Sequence, residues 1–135
     1  MRELRTRKVD KRDYRGFLRK AESFYSGMKH AGEEGDWNLA CLNAVHCVIS
    51  SVDAVTTFYL GERSAGQRHE DAAGLLRQTS LPNVSDKTRQ VLDILAQKTM
   101  VEYDPTEPTE NEARHLLKQA GRVHQWAKQA VSVGT

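Results

Sequence analysis

The sequence lacks the motifs that mark most metal and nucleotide sites. None of its five histidines lies four residues from another, the spacing that places two metal ligands on one helix face, and no CxxC is present. It has neither GxxxxGK[ST] nor GxGxxG, the glycine-rich loops that bind nucleoside triphosphates and dinucleotides. The sequence therefore predicts no metal site and no cofactor, and it argues against nucleotide binding by those two routes.

Long apolar runs and alternating patterns are missing as well. No apolar run approaches the roughly 20 residues of a membrane span, and the first residues, MRELRTRKVDKR, lack the apolar centre of a signal peptide. No stretch alternates apolar and polar residues as a half-buried strand does. We therefore expect a soluble, cytoplasmic protein without strands and without membrane contact.

Cysteine and proline are scarce. Cys41 and Cys47 are six residues apart in one apolar segment and would point in different directions on a helix, so we expect reduced, buried thiols. Three prolines, 39% hydrophobic and 28% charged residues are typical of a globular chain. A length of 135 residues fits one domain with a real core.

The positive charge is concentrated at the N-terminus. Residues 1–20 contain nine Lys or Arg and three acidic residues, a net charge of +6, whereas the remaining 115 residues carry −4. We predict a basic arm over residues 1–12 and a helical domain over 13–133. Two interpretations of the arm stay open: a loose, solvated terminus, or a segment that contacts phosphates.

Apolar residues elsewhere recur at three- and four-residue spacing, which is typical of amphipathic helices. The pattern from Tyr14 to Ala31 predicts a first helix. It ends in AGEEGD, where Gly35 can end one helix and Asp36 can cap the next. A second helix runs without Gly or Pro from Trp37 to Leu60 and ends at Gly61.

The second half of the chain predicts two further helical regions. One helix from about Arg68 to Gln78 and another beginning at the cap Ser85 form a broken third helix. Thr109 and Glu112 form a capping box that opens the last helix. The predicted fold class is all-α: an antiparallel up-and-down bundle of four long helices, with the third one broken to give four to five helices.

The second helix carries an unusual polar stripe. Between Trp37 and Leu60 only Asp53 is formally charged, so the polar side differs from an ordinary solvated helix face. Such a stripe suits an interface or a cleft, or else a central helix whose polar groups are satisfied inside the chain. The predicted binding or interface residues on this side are Asn43, His46, Ser50, Asp53 and Thr57.

Three stretches together resemble a HEPN domain: NAVHCVISSVDAVTTFYLG, GERSAGQRHEDAAGLL and QKTMVEYDPTEPTENEARHLLKQAGRVHQWAK. The resemblance covers roughly residues 13–131. It implies a bundle of four or five helices that forms a homodimer. Many such domains are metal-independent ribonucleases of toxin and antiviral systems, often encoded beside a nucleotidyltransferase antitoxin, and others are non-catalytic binding modules.

The resemblance also implies where catalysis would occur. The nuclease motif of the family is Arg, four to six residues, then His, usually late in the third helix. KTMVEYDP occupies that place, with Lys98 where Arg is expected and Tyr103 where His is expected. Lys lacks the planar fork of Arg, and a tyrosine hydroxyl is a poor general base at neutral pH. The family pattern is therefore degenerate here.

A second pair of residues satisfies the bare spacing. Arg63 and His69 are separated by five residues, but they follow the second helix, which is the wrong element for the family motif. The competing interpretation is a turn that starts a helix: Gly61 ends the second helix and Gly66 permits the turn, while acidic residues open the next helix.

Two hypotheses about function follow. The favoured one is a non-catalytic dimeric module that binds RNA, a nucleotide or a partner protein in a toxin-antitoxin or defence context, with a nucleotidyltransferase-type antitoxin as a candidate partner. The alternative is a metal-independent endoribonuclease with an altered site that uses Arg63 and His69, or Lys98 and Tyr103.

Overall fold

A computed structural model describes residues 4–65 and 68–133. Most of the described residues are helical, which confirms the all-α fold class, and the only sheet among them has two short strands. A 3-10 helix, Lys11–Asp13, precedes the first α-helix. The other elements are β1 (Thr6–Lys8), α1 (Tyr14–Glu33), α2 (Trp37–Leu60), β2 (Glu62–Ser64), α3 (His69–Arg77), α4 (Val84–Leu95), α5 (Lys98–Tyr103) and α6 (Glu110–Val133).

Helix α2 lies at the centre of the bundle. No residue from Ala40 to Leu60 is exposed, because α1 and α6 pack along α2 and the shorter helices cover the rest. Both Cys41 and Cys47 are free and buried in it, as predicted. By length and composition alone α2 could cross a membrane, but 67% of its most apolar window is buried inside the chain, as in the core helix of a bundle.

The helix ends follow the signals in the sequence. Gly35 adopts φ 74° after α1, and the Asp36 carboxylate accepts a hydrogen bond from the backbone N–H of Leu39 at 3.2 Å. Gly61 ends α2 with φ 66° in the left-handed region. The predicted capping box is present at α6, since Thr109 N–H donates to Glu112 and Glu112 N–H donates to Thr109.

The predicted broken third helix is divided twice rather than once, into α3, α4 and α5. The first break contains Ser80 and Asn83, both with positive φ, and α4 begins directly after Asn83 rather than at a Ser85 cap. The second break is the dipeptide Ala96–Gln97, which contains neither Gly nor Pro. The sequence therefore gave no local signal for the separation of α5 from α4.

The prediction of no strands is wrong for two three-residue segments. Strands β1 and β2 pair antiparallel with Arg7 opposite Arg63, and the Thr6 hydroxyl donates to the Glu62 carboxylate at 2.8 Å. Three residues are too few to show an alternating pattern, which explains the miss. Residues 4–8 of the predicted basic arm thus lie against the bundle, while residues 1–3 lie outside the described part of the chain.

Candidate functional site

A cavity of about 200 Å³ opens between α2, β2 and the starts of α3 and α5. Its more buried lining is apolar, and its outer lining is polar and mostly basic. The apolar residues are Ile49, Val52, Ala72 and Leu95, and the polar ones that bear on chemistry are Asp53, Arg63, Arg68, His69 and Lys98.

The basic groups come from β2 and from the starts of α3 and α5. Arg63 lies in the middle of β2, and its guanidinium lies 5.7 Å from the ring centre of Phe17 on α1. His69 is the first residue of α3 and Lys98 is the first residue of α5. Since β1 pairs with β2, the N-terminal segment helps to fix the strand that presents Arg63.

The cavity brings together three of the four catalytic candidates. Arg63, His69 and Lys98 all line it, although the sequence had placed them in two separate motifs. Tyr103 does not line it: this side chain lies at the far end of α5 and is 78% exposed. In the predicted turn, Gly66 lies outside the described residues, while Glu70 and Asp71 do occupy the first turn of α3.

Asp53 supplies the acidic group of the cavity. Burial raises the pKa of its carboxyl to about 7, and the attraction of the Arg63 guanidinium lowers the pKa only in part. A carboxyl group of this kind exchanges a proton near neutrality. It can therefore act as a general acid or base, or adjust the net charge of the cavity with pH.

A second polar network adjoins the cavity through Lys98. The Lys98 ammonium lies 2.8 Å from one Glu102 oxygen, and His46 Nε2 lies 3.2 Å from the other. The hydrogen bond from Lys98, followed by the attraction of Lys98 and the contact with His46, holds the pKa of Glu102 below its ordinary value. The His46 ring also packs at 5.4 Å from that of Phe24.

Sequence reasoning missed two residues of this region. Glu102 had a usable signal, because it is four residues after Lys98 and so lies on the same side of a helix. Arg68 had none, because a basic residue in a polar connection is common. Its position at the cavity depends on how β2 and α3 are placed.

The polar stripe of α2 divides into two groups. Ser50 and Thr57 are buried inside the bundle, and Asn43 faces α1, where a Cβ on Gly27 would lie only 2.8 Å from its amide nitrogen. This placement favours the interpretation of a central helix for these three residues. His46 and Asp53 instead reach the Glu102 network and the cavity.

The cavity is suited to anions and to proton transfer. Three basic residues, Arg63, Arg68 and Lys98, surround an apolar floor, and the Asp53 carboxyl with its raised pKa can exchange a proton. Over residues 4–65 and 68–133, no three His, Cys, Asp or Glu side chains are grouped as metal ligands would be.

Comparison with known proteins agrees with this architecture. A sequence model described as HEPN domain matches residues 14–130, which is most of the chain. A search of curated proteins gave no match. The matched range begins at the first residue of α1 and includes every residue named in the cavity. The chain therefore belongs to the HEPN domain family.

Proposed function

We propose that this HEPN chain is a non-catalytic module that binds a phosphate-bearing ligand, a nucleotide or RNA, in the cavity between α2, β2, α3 and α5. The observation that carries the proposal is the convergence of Arg63, Arg68 and Lys98 on one cavity. Arginine binds phosphate through two parallel hydrogen bonds and lysine adds a point charge, and such charge-assisted bonds are about twice as strong as neutral ones.

The rest of the lining suits a nucleotide better than free phosphate. The buried side chains of Val52 and Leu95, with the half-buried Ile49, provide an apolar floor for a base or sugar. A volume of about 200 Å³ is smaller than the roughly 300–1,000 Å³ of common drug-sized sites. At most one nucleotide unit, either free or as part of an RNA strand, can therefore enter the cavity.

The position of the degenerate family motif supports a binding role over catalysis. Tyr103, which stands where the family has His, is largely exposed and does not line the cavity. Glu102 beside it is engaged with Lys98 and His46 and has a lowered pKa, so it is a weak base. Neither residue offers a proton-transfer group to a ligand in the cavity.

A metal-independent ribonuclease is the second candidate, and one observation favours it. Asp53, with a pKa of about 7, lines the same cavity as His69 and Arg63. In that reaction one of the two groups takes the proton of the ribose 2′-hydroxyl as its oxygen attacks phosphorus. The other gives a proton to the departing 5′-oxygen, while Arg63 and Lys98 stabilise the added negative charge.

The assembly and the cellular setting are further parts of the proposal. We place the homodimer contact on α5, because Met100 and Tyr103 are exposed on it and α2 is enclosed by the chain itself. A toxin-antitoxin or defence context, a nucleotidyltransferase-type antitoxin partner and a cytoplasmic location follow from the resemblance to HEPN proteins of such systems.

A calorimetric titration with a nucleoside monophosphate tests the binding role. The wild type should bind it and should bind the matching nucleoside, which lacks phosphate, at least about tenfold more weakly, since a charged pair is worth more than about 1.4 kcal/mol. Arg63→Ala should weaken binding about tenfold or more, by the same reasoning. Arg89→Ala is the matched control, because Arg89 is exposed on α4 and lies outside the cavity.

An RNA cleavage assay separates the two candidates. Purified protein is incubated with a mixed RNA pool in the presence of EDTA, as wild type and as His69→Ala and Asp53→Asn. The binding module leaves the pool intact in all three samples. Cleavage by the wild type that both substitutions abolish would establish the ribonuclease and overturn the non-catalytic role.

A further inference from the structure

A second basic surface lies away from the cavity, in an open groove between α1 and α6. The groove has a volume of about 630 Å³ and also reaches Lys87 on α4. Its lining contains four basic side chains and no Asp or Glu. The basic residues are Lys29, Lys87, Lys118 and Arg122.

The four basic groups of this groove have no ion-pair partner among the described residues. The Lys87 ammonium donates to the amide oxygen of Gln90 at 3.4 Å, and the Lys29 ammonium lies 5.2 Å from the ring centre of Tyr25. Four like charges in one groove repel one another, so an anionic occupant would relieve that repulsion.

Polar groups follow a single line along α6. Lys118, Arg122, Gln125 and Gln129 are spaced four, three and four residues apart, which keeps them on one side of the helix. The line is about 17 Å long, given a rise of 1.5 Å per residue. It therefore offers repeated contacts to an extended chain rather than one contact to a small ion.

The floor and wall of the groove are partly aromatic. Trp126 and Tyr25 line it, and the half-buried Trp126 packs on the core. Gly121 carries no side chain that would fill the groove, and a Cβ there would lie 3.7 Å from Tyr25. An aromatic face beside basic groups suits an unpaired base, which can stack while its phosphates contact Lys and Arg.

We propose that the groove formed by α1 and α6 binds a single strand of nucleic acid, with Lys29, Lys118 and Arg122 on its phosphates and Trp126 against a base. This surface is separate from the cavity: the two share no lining residue. The inference therefore does not depend on whether a nucleotide binds beside Arg63. An acidic protein segment would match the charges as well, and its binding is one of the outcomes that the test distinguishes.

Fluorescence anisotropy of labelled RNA and DNA single strands, each 12 nucleotides long, tests the inference. If Lys29, Lys118 and Arg122 each neutralise one phosphate, the logarithm of the association constant should fall against the logarithm of the salt concentration with a slope of about −2, since each contact on a single strand contributes about 0.7. The double variant Lys118→Ala/Arg122→Ala should reduce that slope by about 1.4 and weaken binding roughly tenfold. The double variant Arg77→Ala/Arg89→Ala removes the same charge from exposed sites outside the groove and should leave binding nearly unchanged.

Two further variants separate shape from charge. Gly121→Leu fills the groove without altering any charge and should also weaken binding, with its fold checked by circular dichroism. In a Trp37→Phe background the remaining tryptophan, Trp126, should show fluorescence quenching when the single strand binds. In an Arg63→Ala background the loss caused by Gly121→Leu and the quenching of Trp126 should both persist, which keeps this test independent of the cavity.

Three outcomes would overturn the inference. One is equal affinity for a duplex of the same length, since paired bases cannot stack on Trp126. Another is equal or tighter binding of a polyglutamate peptide, which would assign the groove to an acidic protein. The third is a salt slope that the Lys118→Ala/Arg122→Ala substitutions do not change.

Discussion

Asp53 of α2 and Arg63 of β2 line the same cavity, and the attraction of the arginine only partly offsets the burial that raises the pKa of Asp53 to about 7. The two residues come from different elements and are brought together by the connection after α2. Their relationship gives the cavity a charge that changes near neutral pH, which makes the site testable by titration.

Asp53→Asn should stabilise the chain at alkaline pH. The folded-state pKa of about 7 lies above the ordinary value of 3.8, so the folded chain retains a proton that the unfolded chain loses. Stability therefore falls as pH rises from about 4 to about 7, and the cost of the buried charge is complete above that window. The gain from Asp53→Asn should be about 1–4 kcal/mol near pH 8 and close to zero near pH 4, by the same linkage.

Urea unfolding at several pH values measures this gain. Asp93→Asn serves as the control, because Asp93 is exposed on α4, and it should show no comparable dependence on pH. A gain from Asp53→Asn that is equal at acid and alkaline pH would contradict the raised pKa.

Ligand affinity should increase as pH falls through neutrality. Protonation of Asp53 removes a negative charge beside Arg63, Arg68 and Lys98, so an anion is held more tightly. A cyclic nucleoside monophosphate is the suitable probe, since its single charge does not change in this range. Its affinity should rise about three- to tenfold between about pH 8 and about pH 6, the effect of one charge at partly screened distance.

Two variants assign that dependence. At every pH, Asp53→Asn should bind the cyclic nucleotide with an affinity close to that of the wild type at low pH. Its affinity should therefore lose most of the pH dependence. His69→Gln changes another polar side chain of the cavity and should keep the pH dependence that is due to Asp53. A pH dependence that survives unchanged in Asp53→Asn would contradict the assignment to Asp53.

Glu102→Gln should destabilise the chain at neutral pH and have little effect in acid. The folded-state pKa of Glu102 is lowered, chiefly by Lys98, so its stabilisation is present above the ordinary pKa and is lost as pH falls through the folded value. The expected loss near pH 7 is about 0.5–1.5 kcal/mol, the range of a partly exposed charged hydrogen bond. Thermal unfolding near pH 7 and pH 3 checks it, with the exposed Glu107→Gln as control.

Tyr103→Glu should weaken the proposed homodimer. Tyr103 and Met100 are three residues apart on α5 and are 78% and 44% exposed, so a contact there would desolvate both. A charge placed in such a contact costs several kcal/mol when unpaired. Light scattering over a range of concentrations should find a dimer for the wild type and for the exposed control Gln78→Glu, and a monomer for Tyr103→Glu. A monomeric wild type would contradict the proposed homodimer.

Much of the fold could be predicted because its signals are local. Gly61 and Asp36 mark the ends of α2 through their own backbone and side-chain chemistry, and Thr109 with Glu112 marks the start of α6. The strands β1 and β2 could not be predicted in this way. Their pairing joins residues more than fifty positions apart, and nothing within either three-residue segment records it.

The candidate site was predictable residue by residue but not as a constellation. Arg63, His69, Lys98 and Asp53 were each identified from spacing, from polarity or from the family resemblance. Their meeting in one cavity depends on how α2, β2, α3 and α5 pack together, because each of the four residues comes from a different element. Tyr103 was grouped with Lys98 by sequence, and the same short helix places it in solvent.

The most direct test of the central claim is the location of a bound nucleotide by NMR. Backbone amide and arginine Nε–H signals of the labelled protein are followed while a nucleoside monophosphate is added. We expect the largest shifts at Arg63 and Arg68 and at the backbone of residues 49–53 and 95–98. Saturable shifts confined to other surfaces, or no saturable shifts at all, would contradict it.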